Sequence, residues 1–169
     1  EQELFNELKK IRKFQMNDLC KADEKADANF LVCVGCLNAT EVLGGIQAGL
    51  IGCEGFARAR FLVGIELLGA PYRSFEDDLW QLRNSMIHAY LGRIKGRANV
   101  NISTDKEPNA KARYPQGVQV IKDGAGVEHF VVNVSAWTRD LDTAWDNLLG
   151  NLRKDEYLRV QAIAAIEKL

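Results

Sequence analysis

The sequence predicts a mainly α-helical protein: an antiparallel bundle of five to six helices, with a β-hairpin inserted between the fourth and fifth helices. Three observations predict it. Apolar residues recur at helical spacing through most of the 169-residue chain. Two β-rich runs are joined by the turn sequence Asp123-Gly-Ala-Gly126. No internal repeat or low-complexity tract divides the chain, so residues 1–169 read as one domain.

Leu4, Phe5, Leu8, Ile11 and Leu19 set the stripe of a first helix over Gln2 to Leu19, and a charged link, Lys21 to Asp27, follows. A more hydrophobic second helix runs from Ala28 to about Ala48, and glycines 44, 45, 49 and 52 weaken its end and mark a turn. Phe56, Ala59, Val63 and Leu67 outline a third helix that Gly69-Ala70-Pro71 stops. Ser74, with Asp77 three residues on, reads as the cap of a fourth, and Glu76 to Asp78 suit its N-terminal dipole. Residues 92–117 carry no steady period and read as an irregular excursion. The hairpin runs, Val118 to Lys122 and Val127 to Val134, come next, so residues 92–134 form the insertion. Trp137, Leu141, Trp145, Leu148 and Leu152 define a fifth helix, and a last one runs from about Asp155 to Leu169.

A hydrophobic share of 47%, a charged share of 27% and a net charge of −1 exclude global disorder. Near-neutral charge also excludes a whole-molecule field for nucleic acid, so any RNA site must be a local patch. The first residues are charged and amphipathic, unlike a signal peptide, and the longest apolar run, Phe30 to Leu37, is too short for a bilayer. The expectation is a cytoplasmic protein with no membrane partner. Cys33-Val-Gly-Cys36 has the spacing of a half metal site, but its apolar neighbours favour buried free thiols. Neither a metal nor a cofactor is expected.

The stretch from Leu82 to Leu91, L-R-N-S-M-I-H-A-Y-L, holds most of the chemistry. At about 100° per residue, Gln81, Asn84, Ser85 and His88 share one narrow sector of the fourth helix. Leu79, Leu82, Met86, Ile87 and Tyr90 cover the opposite side, and Arg83 projects into it. A buried guanidinium needs a carboxylate, carbonyl or phosphate partner. Glu41 and Glu66 are the internal candidates, and an interhelix or surface role suits His88 equally well. A histidine exchanges protons near neutrality and an arginine grips phosphate, so the pair also suits metal-independent phosphodiester chemistry. One limit stands: residues five apart diverge by about 140° on an ideal helix. A joint role is simplest where two copies of the helix meet across a two-fold axis.

Arg83-Asn84-x-x-x-His88 on the fourth helix of a small bundle resembles the signature of the HEPN superfamily. That resemblance implies a metal-independent endoribonuclease, toxin or defence effector, working as a homodimer through the motif helix. His88 would act as general acid or base, Arg83 would bind the phosphate, and Asn84 would orient the reacting groups. The products would be a 2′,3′-cyclic phosphate and a 5′-hydroxyl. Glu41 would orient Arg83, with Ser85 in support. Tyr90 completes an Arg-x-x-x-x-His-x-Tyr form found in HEPN toxins whose tyrosine a nucleotidyltransferase antitoxin adenylylates, which implies Tyr90 modification and an antitoxin partner. The alternative is a non-catalytic HEPN-like module that binds nucleotide, RNA or protein.

Arg93, Lys95, Arg97, Lys106, Lys111 and Arg113 make the segment after the motif basic, a candidate RNA-binding patch with Tyr114 as a base-stacking surface. Asp140, Asp142 and Asp146 read as a solvent edge, and His129 as a cross-strand polar position.

Overall fold

Burial of Leu4, Phe5, Leu8 and Leu19 fixes the first helix, α1 (Gln2–Asp23), against the rest of the bundle. The computed structural model describes residues 1–24, 29–89, 93–107 and 109–167. Within them follow α2 (Asn29–Ala48), α3 (Ala57–Leu68) and α4 (Glu76–Ala89). Then come β1 (Val100–Ser103), the one-turn α5 (Ala110–Arg113), β2 (Val118–Lys122) and β3 (Glu128–Asn133). Two helices close the chain, α6 (Val134–Lys154) and α7 (Glu156–Ile166). The predicted class is the observed one, mainly helical with a small β insertion ahead of the last two long helices.

The predicted stripe of α6 is buried throughout: Trp137, Leu141, Trp145, Leu148 and Leu152 are all at 0% exposure. At about 1.5–3 kcal/mol for each large apolar side chain, this helix is a principal source of stability. Asn133 caps it by accepting the amides of Ser135 and Ala136 at 3.1 and 3.2 Å. The aspartates read as a solvent edge have partners. Asp142 and Asp146 hold Arg12 of α1 at 2.7 and 2.6 Å, and Asp140 accepts the hydroxyl of buried Tyr72 at 2.7 Å.

Four sequence expectations need correction. First, α1 continues through Lys21 to Asp23, where a link was expected; Asp23 is held there by Ser135 Oγ at 2.9 Å and Thr104 Oγ1 at 3.1 Å. Residues 25–27 of that link, and residue 28, the expected start of the second helix, lie outside the described residues. Second, Gly44 and Gly45 do not weaken α2, which runs through both to Ala48. A Cβ at Gly44 would lie 1.8 Å from the carbonyl oxygen of Arg60, and one at Gly64 would lie 1.9 Å from that of Thr40. The two glycines therefore let the α2 and α3 backbones touch.

Third, Ser74 sits inside a 3-10 turn, Tyr72–Phe75, rather than at a helix cap, and α4 starts at Glu76, directly after that turn, with its predicted acidic residues. Fourth, the 92–117 segment is not wholly irregular. It contributes α5 and also β1, which turns the predicted hairpin into a three-stranded sheet of order β1-β3-β2. β2 and β3 are antiparallel with Val120 opposite Phe130, while β1 runs parallel to β3 with Ile102 opposite Val132. Phe130, Val132 and Val118 carry the sheet into the core. Among the described helices, α2 alone is long and apolar enough to cross a bilayer; here Val32, Cys33, Cys36, Leu37 and Leu43 bury one side of it in the bundle.

Candidate active site

Leu79, Leu82 and Met86 anchor α4 in the core, and its remaining residues divide between two environments. Toward α2 and α3, Arg83 Nη2 lies 2.7 Å from Glu41 Oε2. Its Nη1 donates to Asn84 Oδ1 at 3.2 Å, and the guanidinium lies 5.2 Å from the Trp80 ring centroid. Between the two internal candidates, Glu41 is the partner; Glu66 pairs with Arg73 at 3.3 Å. The other oxygen of Glu41 receives a second cation, Arg60 of α3, from Nη2 at 2.6 Å and Nε at 3.1 Å. Arg60 Nη1 donates to the Cys53 carbonyl at 2.7 Å. The side chains of Arg60, Glu41 and Arg83 are only 18%, 12% and 13% exposed. They line a cleft of about 290 Å³ with Asn38, Val42 and Ile51.

Arg60 is the functional candidate that the sequence reading missed. The available signal was the one that flagged Arg83: at about 100° per residue, Arg60 points within roughly 20° of Leu67, inside the apolar stripe of α3. The Gly44–Gly64 contact is what brings it to Glu41.

The expected polar stripe does not act as one site. After α4 the chain doubles back along it: Ser85 Oγ accepts the Arg93 amide at 3.2 Å, and Gln81 Oε1 accepts the Lys95 amide at 3.0 Å. Asp78 closes the ladder by holding Arg97 at 2.7 Å. Ile94 is buried between the anchors. Gln81 and Ser85 therefore hold a backbone strap, while Asn84 turns to Arg83.

His88, the remaining member of the stripe, is exposed near the end of α4. Its imidazole has no hydrogen bond or ion pair to any described residue. α4 is regular through Arg83 and His88, so within one chain the arginine faces α2 while the histidine faces solvent. Tyr90 lies outside the described residues.

The basic segment is also divided. Arg93, Lys95, Lys111 and Arg113 are exposed, the first two on the strap and the last two on α5. Arg97 is held by Asp78 and lies over the Phe130 ring at 5.7 Å. Arg113 lies over the Tyr114 ring at 5.2 Å. His129 bridges Asp123 at 3.0 Å and Asn101 at 3.1 Å, the cross-strand polar role read from the sequence.

Cys33 and Cys36 are fully buried. Burial pushes the Cys36 thiol up to about 12, against a lowering contribution from its contact with Thr138, and burial also raises Cys33 well above the ordinary thiol range. Both are apolar fillers of the bundle. Among the described residues, no three His, Cys, Asp or Glu side chains converge as a metal site.

The chain matches no protein-family model, no curated protein and no solved structure.

Proposed function

We propose that this chain is a HEPN-type endoribonuclease of the toxin or defence kind, cytoplasmic and acting as a homodimer through α4. The observation that carries this reading is the contrast within one helix. His88 is exposed and has no partner among the described residues, which leaves its imidazole open to a substrate, whereas Arg83 is fixed on Glu41. The other histidine, His129, is instead tied into the fold by Asp123 and Asn101.

In the proposed reaction, RNA lies in a groove where two α4 helices meet, which brings the His88 of one copy toward the arginine side of the other. An imidazole accepts the ribose 2′-OH proton, the oxygen attacks the adjacent phosphorus, and the bond to the 5′-oxygen breaks. That oxygen leaves with a proton from an imidazolium of the same groove. Arg83 stabilises the charge that builds on the phosphorane oxygens, with Asn84 holding the guanidinium in plane. The ends are a 2′,3′-cyclic phosphate and a 5′-hydroxyl, and the cycle needs no metal. Arg93 and Lys95, whose backbone amides the strap holds on Ser85 and Gln81 of the same helix, bind the RNA backbone. Tyr90 adenylylation by an antitoxin partner is the form of control that goes with this reading.

The test is incubation of the purified protein with structured and unstructured RNAs in excess EDTA, beside His88→Ala. Discrete fragments with cyclic phosphate ends, absent from the variant, are expected. No cleavage over a broad RNA panel by a folded dimer would favour the non-catalytic module. The Arg83–Glu41 pair is the observation on that side, since an ion pair of this kind also serves architecture alone.

A further inference from the structure

Two guanidinium groups share the single carboxylate of Glu41, so the cluster carries one net positive charge in a cleft where Glu41 is the sole acidic lining residue among those described. The two arginines differ in what they have left to offer. Arg60 directs all three of its nitrogens to the protein: Nε and Nη2 to Glu41, and Nη1 to the carbonyls of Cys53 and Leu50. Arg83 has only two described hydrogen bonds, to Glu41 and Asn84, and its buried Nε has no hydrogen-bond partner. A guanidinium has five N–H donors; with the buried Nε closed to a ligand, one hydrogen on each Nη of Arg83 is left for a further acceptor.

A lone Glu41–Arg83 pair would be neutral and poorly suited to an anion, because the carboxylate would repel what the guanidinium attracts. Adding Arg60 changes the balance. We propose that Arg60 is a positioning residue for RNA binding: it neutralises and fixes Glu41, so that Arg83 is held by a carboxylate yet keeps its charge for a backbone phosphate. The inference rests on the nuclease reading for the identity of the anion. The charge arrangement itself does not depend on cleavage. The ligand class is a phosphodiester oxyanion, and the α2–α3 backbone contact is the device that installs the charge.

The test measures binding apart from chemistry. A fluorescent 2′-O-methyl oligoribonucleotide, which lacks the attacking hydroxyl, is titrated by anisotropy at several salt concentrations against wild type, Arg60→Gln, Arg60→Lys and the double variant Arg60→Gln/Glu41→Gln. Thermal melts establish that each is folded. Arg60→Gln makes the cluster neutral and is expected to weaken binding about tenfold, with a salt slope smaller by about 0.7, the value for one single-strand phosphate contact. Arg60→Lys keeps the charge but loses the fork, and is expected to bind between wild type and Arg60→Gln. The double variant returns the cluster to one positive charge and is expected to recover most of the lost affinity.

Equal loss in the lysine and glutamine variants, both folded, would make Arg60 an architectural residue and overturn the proposal. So would unchanged binding by Arg60→Gln. If wild type cleaves no RNA but the charge pattern in binding holds, the anion site stands and the nuclease reading falls. If wild type cleaves and Arg60→Gln cleaves and binds like it, the site proposal alone falls.

Discussion

The hydroxyl of Ser85 accepts the backbone amide of Arg93 at 3.2 Å, and this bond converts part of a polar helix stripe into the anchor of a returning strap. The same hydroxyl donates to the Leu82 carbonyl at 3.0 Å, so its orientation is set from within the helix. Ser85→Ala removes the acceptor and leaves the Arg93 amide to water. The expected cost is about 1 kcal/mol. Hydrogen exchange is the direct readout: the Arg93 and Lys95 amides should exchange faster in Ser85→Ala than in wild type. Unchanged exchange at both would mean that Ile94, Gln81 and Asp78 hold the strap without Ser85.

The four cysteines should separate by reactivity. Cys20 is exposed, Cys53 is half-buried, and Cys33 and Cys36 are buried. Burial raises Cys20 too, with added repulsion from Asp23. Because the thiolate is the nucleophile, alkylation of the native protein at about pH 8 should label Cys20 and Cys53 and spare Cys33 and Cys36. Unfolding should expose all four. Mass spectrometry of peptides alkylated before and after denaturation checks this, and native labelling of Cys36 would contradict the packing around Thr138.

Much of this architecture is legible in the sequence because it is local. The stripe from Trp137 to Leu152 repeats with the period of the helix it forms, and Asp123-Gly-Ala-Gly126 specifies its hairpin within a few residues. β1 was illegible for the opposite reason: four residues, Val100–Ser103, become a strand only because Phe130 to Asn133 lie alongside them. Gly44 shows a different limit. A glycine near the end of a helix reads as a weak point, and only the facing backbone of α3 reveals it as a crossing point. At the site, Arg83 advertised its need for a partner by interrupting an apolar face. Arg60 did so as well, but α3 has no histidine motif to draw attention to it. Which polar residues of α4 would be taken up by the strap was not written locally at all, since the acceptors meet backbone amides of residues 93 and 95.

Acid should loosen the joint between the insertion and α6. Burial of Asp105 would raise its carboxyl, but hydrogen bonds from Asn133 at 2.9 Å and Arg139 at 2.6 Å outweigh that and hold it below the ordinary value of 3.8. His129, then the Val127 amide, lower Asp123 in the hairpin turn. Both folded-state values lie below the unfolded ones. Their stabilisation is therefore complete well above about pH 4 and is lost as pH falls through the lowered folded values. Urea midpoints at about pH 7, 5 and 3.5 should fall most over the last interval. Asp105→Asn should be less stable at neutrality and show a shallower fall. An identical acid profile in that variant would remove Asp105 from the account.

Two glycine substitutions, one of them at the contact between α2 and α3, should have opposite signs. In a helix interior, glycine to alanine ordinarily stabilises by about 1 kcal/mol through backbone entropy. Gly150 of α6 should follow that rule, because a Cβ there meets nothing within 4 Å. Gly64→Ala should not. Its Cβ would lie 1.9 Å from the Thr40 carbonyl oxygen and 2.8 Å from the carbonyl carbon, so the two helices must separate. The steric cost, about 1–3 kcal/mol or more, exceeds the entropic gain. Separation also draws Arg60 away from Glu41, so the same substitution should weaken binding of the oligonucleotide probe. Thermal and urea unfolding of the two variants supply the comparison. Stabilisation by Gly64→Ala would mean that the helices do not touch there, and the route by which Arg60 reaches Glu41 would have to be different.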